Sequence, residues 1–226
     1  MPESIQAVIF DLDGTLIDTE TADYEACRIL FEEIGVPLSL DRWAECVVGI
    51  IDGYDCLFDE LLAVQNNGLT RAGLRRRLQE LWPQTLQHVT LMDGAIEALT
   101  HFQAAGYRLG LASASDRSWI NRWLTRFQLA PFFEAIASGE EVRRNKPAPD
   151  VFLLAAQRLN TPPEACLVFE DSHVGVSAAR AAGMTVIAVP NTVTRGMDFS
   201  SAHRVIHSLR DITGVESSDW RLTFNL

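Results

Sequence analysis

Cations are scarce in this sequence, and the shortage removes whole classes of function. Lys and Arg number 19 against 30 Asp and Glu, a formal net charge of -11. So acidic a chain offers no basic face for a sequence-independent grip on nucleic acid or on an anionic membrane. Long apolar runs are missing as well. Ala7 to Phe10 is the longest early one, far short of a signal h-region or of the roughly 20 residues a membrane-spanning helix needs. The four cysteines, Cys27, Cys46, Cys56 and Cys166, contain no CxxC pair, which argues against a disulfide framework and reads as reduced thiols serving as small core residues. Histidines 88, 101, 203 and 207 show no metal-ligand spacing. These absences describe a cytoplasmic protein with no membrane and no nucleic acid among its partners.

What is present is core-forming material: 47% hydrophobic residues in a chain of 226. That length suits one large domain or two small ones and buries about 70% of the unfolded surface without disulfides or a structural metal. There is no internal repeat and no low-complexity tract.

The apolar pattern divides the chain. Ile5 to Phe10 reads as a strand. From Asp18 to about Leu86 only helices are expected: one capped by Asp18 or Thr19, with Ala22, Ala26, Ile29, Leu30 and Ile34 on one face and Gly35 at its end; one after Ser39; one led in by Asp52 to Asp55; and one capped by Thr70, ending before Pro83. Strand and helix then alternate, with strands at Tyr107 to Ala112, Ala135 to Ala137, Cys166 to Phe169, Thr185 to Val189 and Arg204 to His207. Short strands without polar alternation, separated by helices, imply a parallel sheet covered on both faces. The expected fold is therefore an α/β, Rossmann-like core (residues 1–16 and 87–226) carrying an inserted four-helix cap (residues 17–86).

Ligands of such sheets bind beyond the carboxyl ends of the strands, and there the sequence places Asp11 to Asp13, Ser113 to Ser115, and Glu170 with Asp171. Two carboxylates two residues apart at the mouth of a buried strand repel each other, so either a divalent cation neutralises them or one stays protonated. Taken alone, the DxDG of Asp11 to Gly14 reads equally well as a turn or a helix cap, Asp171 as an N-cap, and Ser113 as a cap after a strand.

Four segments in order, DLDGTL at Asp11 to Leu16, ASAS at Ala112 to Ser115, NKPAPDVF at Asn145 to Phe152 and FEDSHVG at Phe169 to Gly175, resemble the motifs of the haloacid dehalogenase superfamily. The small helical insertion resembles that of the subfamily of β-phosphoglucomutase and sugar-phosphate phosphatases. The resemblance implies a Mg²⁺-dependent phosphatase acting on a small phosphorylated metabolite, with a cap that closes over it. It implies Asp11 as the nucleophile that becomes an aspartyl-phosphate, Asp13 as acid/base, Ser113, the Ala114 N–H and Lys146 as phosphate-binding groups, and Asp11, Asp13, Glu170 and Asp171 around the metal. A phosphomutase and a catalytically silent binding protein on the same fold are the alternatives. Against the mutase, the positions matching its cap histidine and arginine hold Asp23 and Asp52. Asp13 disfavours a dehalogenase, which lacks that acid. Arg75, Arg76 and Arg77 read mainly as a solvated helix face, and Arg143 and Arg144 lie close to Lys146 in sequence. His173 reads as exposed, and Trp119 with Trp123 as the apolar stripe of a core helix. The oligomeric state is not legible.

Overall fold

The structure, a computed structural model, describes residues 5–50, 52–64 and 68–212. Its centre is a parallel sheet in the order β3-β2-β1-β4-β5-β6, with β1 Ala7–Phe10, β2 Arg108–Ser113, β3 Ala135–Ser138, β4 Cys166–Glu170, β5 Thr185–Ala188 and β6 Arg204–Val205. The sheet and its helices form the expected Rossmann-like α/β fold. β1 lies between β2 and β4, and all four of its residues are buried, which is why it reads as an unbroken apolar run.

Alternation along the strands sorts the core into two layers. Ala7 and Ile9 of β1 and Cys166 and Val168 of β4 point into one cluster with Val151, Phe152 and Ala155 of α7 (Asp150–Arg158) and Val176 and Ala179 of α8 (His173–Ala181). Phe10 and Phe169 stack on the other face at 5.1 Å, and both rings meet Phe102 of α5 (Ala95–Ala104). Each buried Val, Ile or Phe among them contributes about 1.5–3 kcal/mol. α6 (Arg117–Arg126) is capped by Asp116, whose side chain accepts from the Trp119 N–H.

The chain divides into two compact units: Met1–Ile17, Leu91–Asn191 and Met197–Leu226 form one, Asp18–Thr90 with Thr192–Gly196 the other. The turn Leu86–His88 packs with the helices before it. The expected outer ends at residues 1 and 226 lie outside the described residues.

The second unit contains α1 Thr19–Ile34, α2 Leu40–Val47, α3 Gly53–Val64 and α4 Arg71–Thr85. Asp18 caps α1 and Gly35, at φ 80°, ends it. Cys27 and Phe31 are buried where Ile29 and Ile34 were expected to be. α4 also continues through Pro83; in the last turn the missing N–H forfeits a single intrahelical bond, so proline there does not stop the helix. The thiol expectation needs a larger correction. Cys46 and Cys56 are bonded to each other across α2 and α3, whereas Cys27 and Cys166 are buried free thiols. A pair separated by 10 residues carries no motif; only the folded helical hairpin brings the two together. Among the described residues no helix is long and apolar enough to cross a membrane.

Candidate active site

The polar residues at the strand exits of the first unit form one buried cluster. β1 delivers Asp11, whose N–H continues the sheet by bonding to the Phe169 carbonyl at 3.0 Å. The turn that follows needs glycine. Gly14 sits at φ +80°, and a Cβ there would fall 2.2 Å from Asp171 Oδ2, a left-handed conformation and a close approach that only glycine accommodates.

Lys146 is the cation of this cluster. Its Nζ donates to Asp11 Oδ1 at 2.5 Å, Glu170 Oε1 at 2.8 Å and the Ala112 carbonyl at 3.1 Å, and lies 4.7 Å from the centre of the Phe152 ring. Lys146 is 6% exposed, Asp11 5% and Glu170 1%, so these charges meet in a dry environment where an unmatched one is expensive. Burial works against the Lys146 charge, but the attraction of Asp11 and Glu170 outweighs it and holds the ammonium above the usual lysine range. Burial pushes the Asp11 carboxyl well above the carboxylate range; Lys146 opposes the rise, and Glu170 and Asp13 add to it.

Glu170 is held in turn. Its Oε2 accepts from the Ser172 N–H at 2.8 Å and the Ser172 hydroxyl at 2.9 Å, and the same hydroxyl accepts from the Gly175 N–H to cap α8. A Cβ on Gly175 would lie 1.7 Å from Glu170 Oε1. The glycine of the fourth motif is thus the space in which this carboxylate sits.

Asp13 is gripped from a different element. Trp119 Nε1 donates to its Oδ1 at 2.8 Å, and the Ser115 and Ser113 hydroxyls donate to its Oδ2 at 2.9 and 3.3 Å. Trp119 is therefore more than a member of an apolar stripe: Trp123 is fully buried, but Trp119, half-buried in the first turn of α6, turns its indole N–H to the strand mouths. Beside Ser113, the Ala114 carbonyl accepts from the Asn145 side chain at 2.8 Å, while Asn145 Oδ1 accepts from the Lys146 N–H at 2.9 Å. Asn145 ties the second motif to the third.

Asp171 accepts neutral donors: the Thr15 hydroxyl at 3.1 Å and the Asn191 amide at 2.8 Å, and the latter also donates to the Gly14 carbonyl. Four carboxyl groups, those of Asp11, Asp13, Glu170 and Asp171, are set against the single ammonium of Lys146, an excess of acid in the cluster. A hard divalent cation fits that excess and that all-oxygen donor set. No three of these carboxylates bring an oxygen each within 4.8 Å of one another; among the described residues ligand atoms meet that closely at Cys46 Sγ, Cys56 Sγ and a Glu60 oxygen, in the other unit. Mg²⁺ needs only one or two carboxylates, its remaining positions being filled by water and substrate phosphate, so the fit stands.

Other residues singled out in the sequence are committed elsewhere. Arg75 donates to Asp55, Arg77 to Glu33 and Glu80, and Arg144 to Asp150 in the first turn of α7. His173 is exposed, as expected, and so is Asp52. Asp23 accepts from Tyr54 Oη at 2.5 Å and Trp82 Nε1 at 2.7 Å. Sequence reasoning missed Thr15, Ser115, Trp119 and Asn191. Only Thr15 and Ser115 carried a signal, lying inside the quoted motifs.

Comparison with known proteins gives this geometry a family. The haloacid dehalogenase-like hydrolase family matches residues 8–189. The chain is 30% identical over 209 residues to a phosphorylated carbohydrates phosphatase of Thermotoga maritima, covering 92% of this chain and 88% of that one. It is 34% identical over 191 residues to hexitol phosphatase B of Escherichia coli K12, covering 84% and 85%. The crystal structure of CbbY from Rhodobacter sphaeroides in complex with phosphate superposes with a TM-score of 0.72 at 28% identity, over 92% of this chain and 96% of that one. On these matches the chain belongs to the haloacid dehalogenase-like hydrolase family.

Proposed function

We propose that this protein is a Mg²⁺-dependent phosphatase of small phosphate monoesters, sugar phosphates foremost, working through an aspartyl-phosphate on Asp11. The observation that carries the reading is the placement of Lys146 Nζ, which touches Asp11 and Glu170 together at the buried strand mouths. The relatives named as phosphatases of phosphorylated carbohydrates and hexitols support the substrate class.

In the first step a carboxylate oxygen of Asp11 attacks phosphorus and the ester O–P bond breaks. Lys146, the Ser113 hydroxyl and the Ala114 N–H hold the phosphoryl oxygens, offsetting charge that grows in the transition state. Asp13, supported by Trp119 and Ser115, gives its proton to the leaving alkoxide. In the second step Asp13 takes a proton from water as that water attacks phosphorus, freeing phosphate and restoring Asp11. Asp171 and Asp11, with the Asp13 carbonyl, would hold Mg²⁺, which when bound polarises the phosphoryl oxygens and offsets the carboxylate excess. Glu170, with both oxygens engaged by Lys146 and Ser172, serves to aim the lysine. Against the phosphomutase alternative, Asp23, where that enzyme's histidine would stand, is fixed as an acceptor by Tyr54 and Trp82.

Phosphate release from p-nitrophenyl phosphate and from a panel of sugar phosphates tests the reading. Activity should appear with Mg²⁺, vanish with a chelator, and fall at least about 10³-fold in Asp11→Asn with circular dichroism unchanged. Undiminished hydrolysis by that variant, or turnover only with a bisphosphate activator and no free phosphate, would overturn it.

A further inference from the structure

The bonded cysteines of the second unit belong to no part of the proposed reaction. Cys46 lies near the end of α2 and Cys56 in the first turn of α3, with Cα atoms 5.8 Å apart, inside the range a disulfide spans. The approach of the two helices is built in, because a Cβ on Gly53 would meet the Cys46 carbonyl oxygen at 2.3 Å. Cys46 is 2% exposed, whereas Cys56 opens to solvent. Arg42 Nη2 donates to Cys56 Sγ at 3.4 Å. Arg42 is itself fixed by Glu60, through Nε at 2.6 Å, and by Glu45 at 3.0 Å.

From this arrangement we propose that Cys46 and Cys56 form a reversible redox site that takes small-molecule disulfides. An accessible thiol beside a guanidinium and at a helix N-terminus is placed to react as thiolate, and a buried partner within bonding distance is placed to resolve the adduct. The Cys56 thiolate attacks one sulfur of the oxidised disulfide, giving a mixed disulfide and releasing one thiolate. Cys46 then gives up its proton and attacks Cys56 Sγ, displacing the second thiolate. Two protein thiols are oxidised by two electrons, the small disulfide is reduced to two thiols, and the protons from Cys46 and Cys56 end on those thiols. The bond staples α2 to α3 and restricts local opening of the hairpin. Metal binding by the same sulfurs with Glu60 is the poorer account, because Arg42 already places a cation on both Cys56 and Glu60.

The test uses the full chain and is independent of its phosphatase activity. Protein is equilibrated with oxidised or reduced glutathione, denatured in an alkylating agent and mapped by mass spectrometry. After oxidation Cys46 and Cys56 should resist alkylation as a linked peptide pair lighter by two hydrogens, Cys27 and Cys166 should be alkylated, and dithiothreitol should restore all four sites. Cys46→Ser should trap glutathione on Cys56, and Cys56→Ser should leave Cys46 without an adduct. Arg42→Gln should slow oxidation roughly tenfold. Oxidation should also slow proteolysis between α2 and α3 by about 10-fold or more in the wild-type protein. Four alkylated thiols after oxidation, linkage through Cys27 or Cys166, an adduct on Cys46 in Cys56→Ser, or protection removed by a zinc chelator alone would each overturn the proposal.

Discussion

The strand-mouth cluster of the first unit and the helix surfaces of the second treat charge in opposite ways. In the first, Asp11, Lys146, Glu170 and Asp171 are buried together, and the carboxylates outnumber their cation. In the second, the arginines face solvent and are well supplied with acids: Arg77 pairs with Glu33 and Glu80, Arg71 with Asp55 and Asp59, and Arg28 with Glu25 and Glu32. Exposed pairs of that kind contribute roughly 0–1 kcal/mol each. In a buried cluster an unmatched charge is far more costly, and this one is left in deficit, the condition under which a cation and an anionic substrate complete it. The contrast separates charge kept for solubility from charge kept for chemistry.

Removing Lys146, the cation of the buried cluster, should produce the largest effect. Lys146→Met leaves Asp11 and Glu170 facing each other without a counter-charge, and both stability and turnover should fall. The expected loss is about 3–5 kcal/mol by denaturant melt, and kcat should drop at least about 100-fold. A variant with full stability would show that the deficit is not buried as described.

Trp119→Phe is gentler. It keeps the ring but deletes the N–H on Asp13, so kcat should fall about 10-fold with KM nearly unchanged, while the melting temperature moves little. An equal loss in Trp123→Phe, whose ring is buried away from Asp13, would erase the distinction between the two tryptophans.

The smallest expected effect lies at the edge of the sheet. Glu141 accepts from Arg158 and Arg117 and, as a capping acid, from the Ser138 N–H. Its carboxyl is lowered to about 2, the Arg158 hydrogen bond contributing most. A depressed folded-state pKa stabilises above the unfolded value, near 4.5, and the benefit is lost as pH falls toward 2. Glu141→Gln should therefore be slightly less stable than wild type at pH 7, and the two should converge between about pH 4.5 and 2 in thermal melts. A difference that persisted at pH 2 would contradict the ion-pair account.

Much of this was legible in the sequence because strand exits are read locally. An apolar run ending in Asp11, Ser113 or Glu170 places a polar group at a sheet mouth whatever the strand order, and the four motifs in order named the family. The order β3-β2-β1-β4-β5-β6 was not legible from those runs, because pairing is a long-range choice among similar apolar segments. The function of Trp119 was hidden for a related reason. Its spacing of four from Trp123 is what a core stripe looks like, and only the direction in which α6 leaves β2 turns one ring inward and the other toward Asp13. Asn191 and Glu170 show the same limit, since Asn191 reaches Asp171 from another loop and Glu170 meets Lys146 from a distant segment, contacts that local sequence does not display. The cysteine pair was misread because composition reports on compartment and not on proximity.

The central claim is that Asp11 becomes covalently phosphorylated. Acid quenching during turnover of a sugar phosphate, followed by borohydride reduction and peptide mapping, reads this directly, since reduction of an acyl phosphate leaves homoserine in place of aspartate. The account expects homoserine at position 11, dependent on substrate and Mg²⁺. Rapid phosphate release with Asp11 unmodified at every quench time would contradict it.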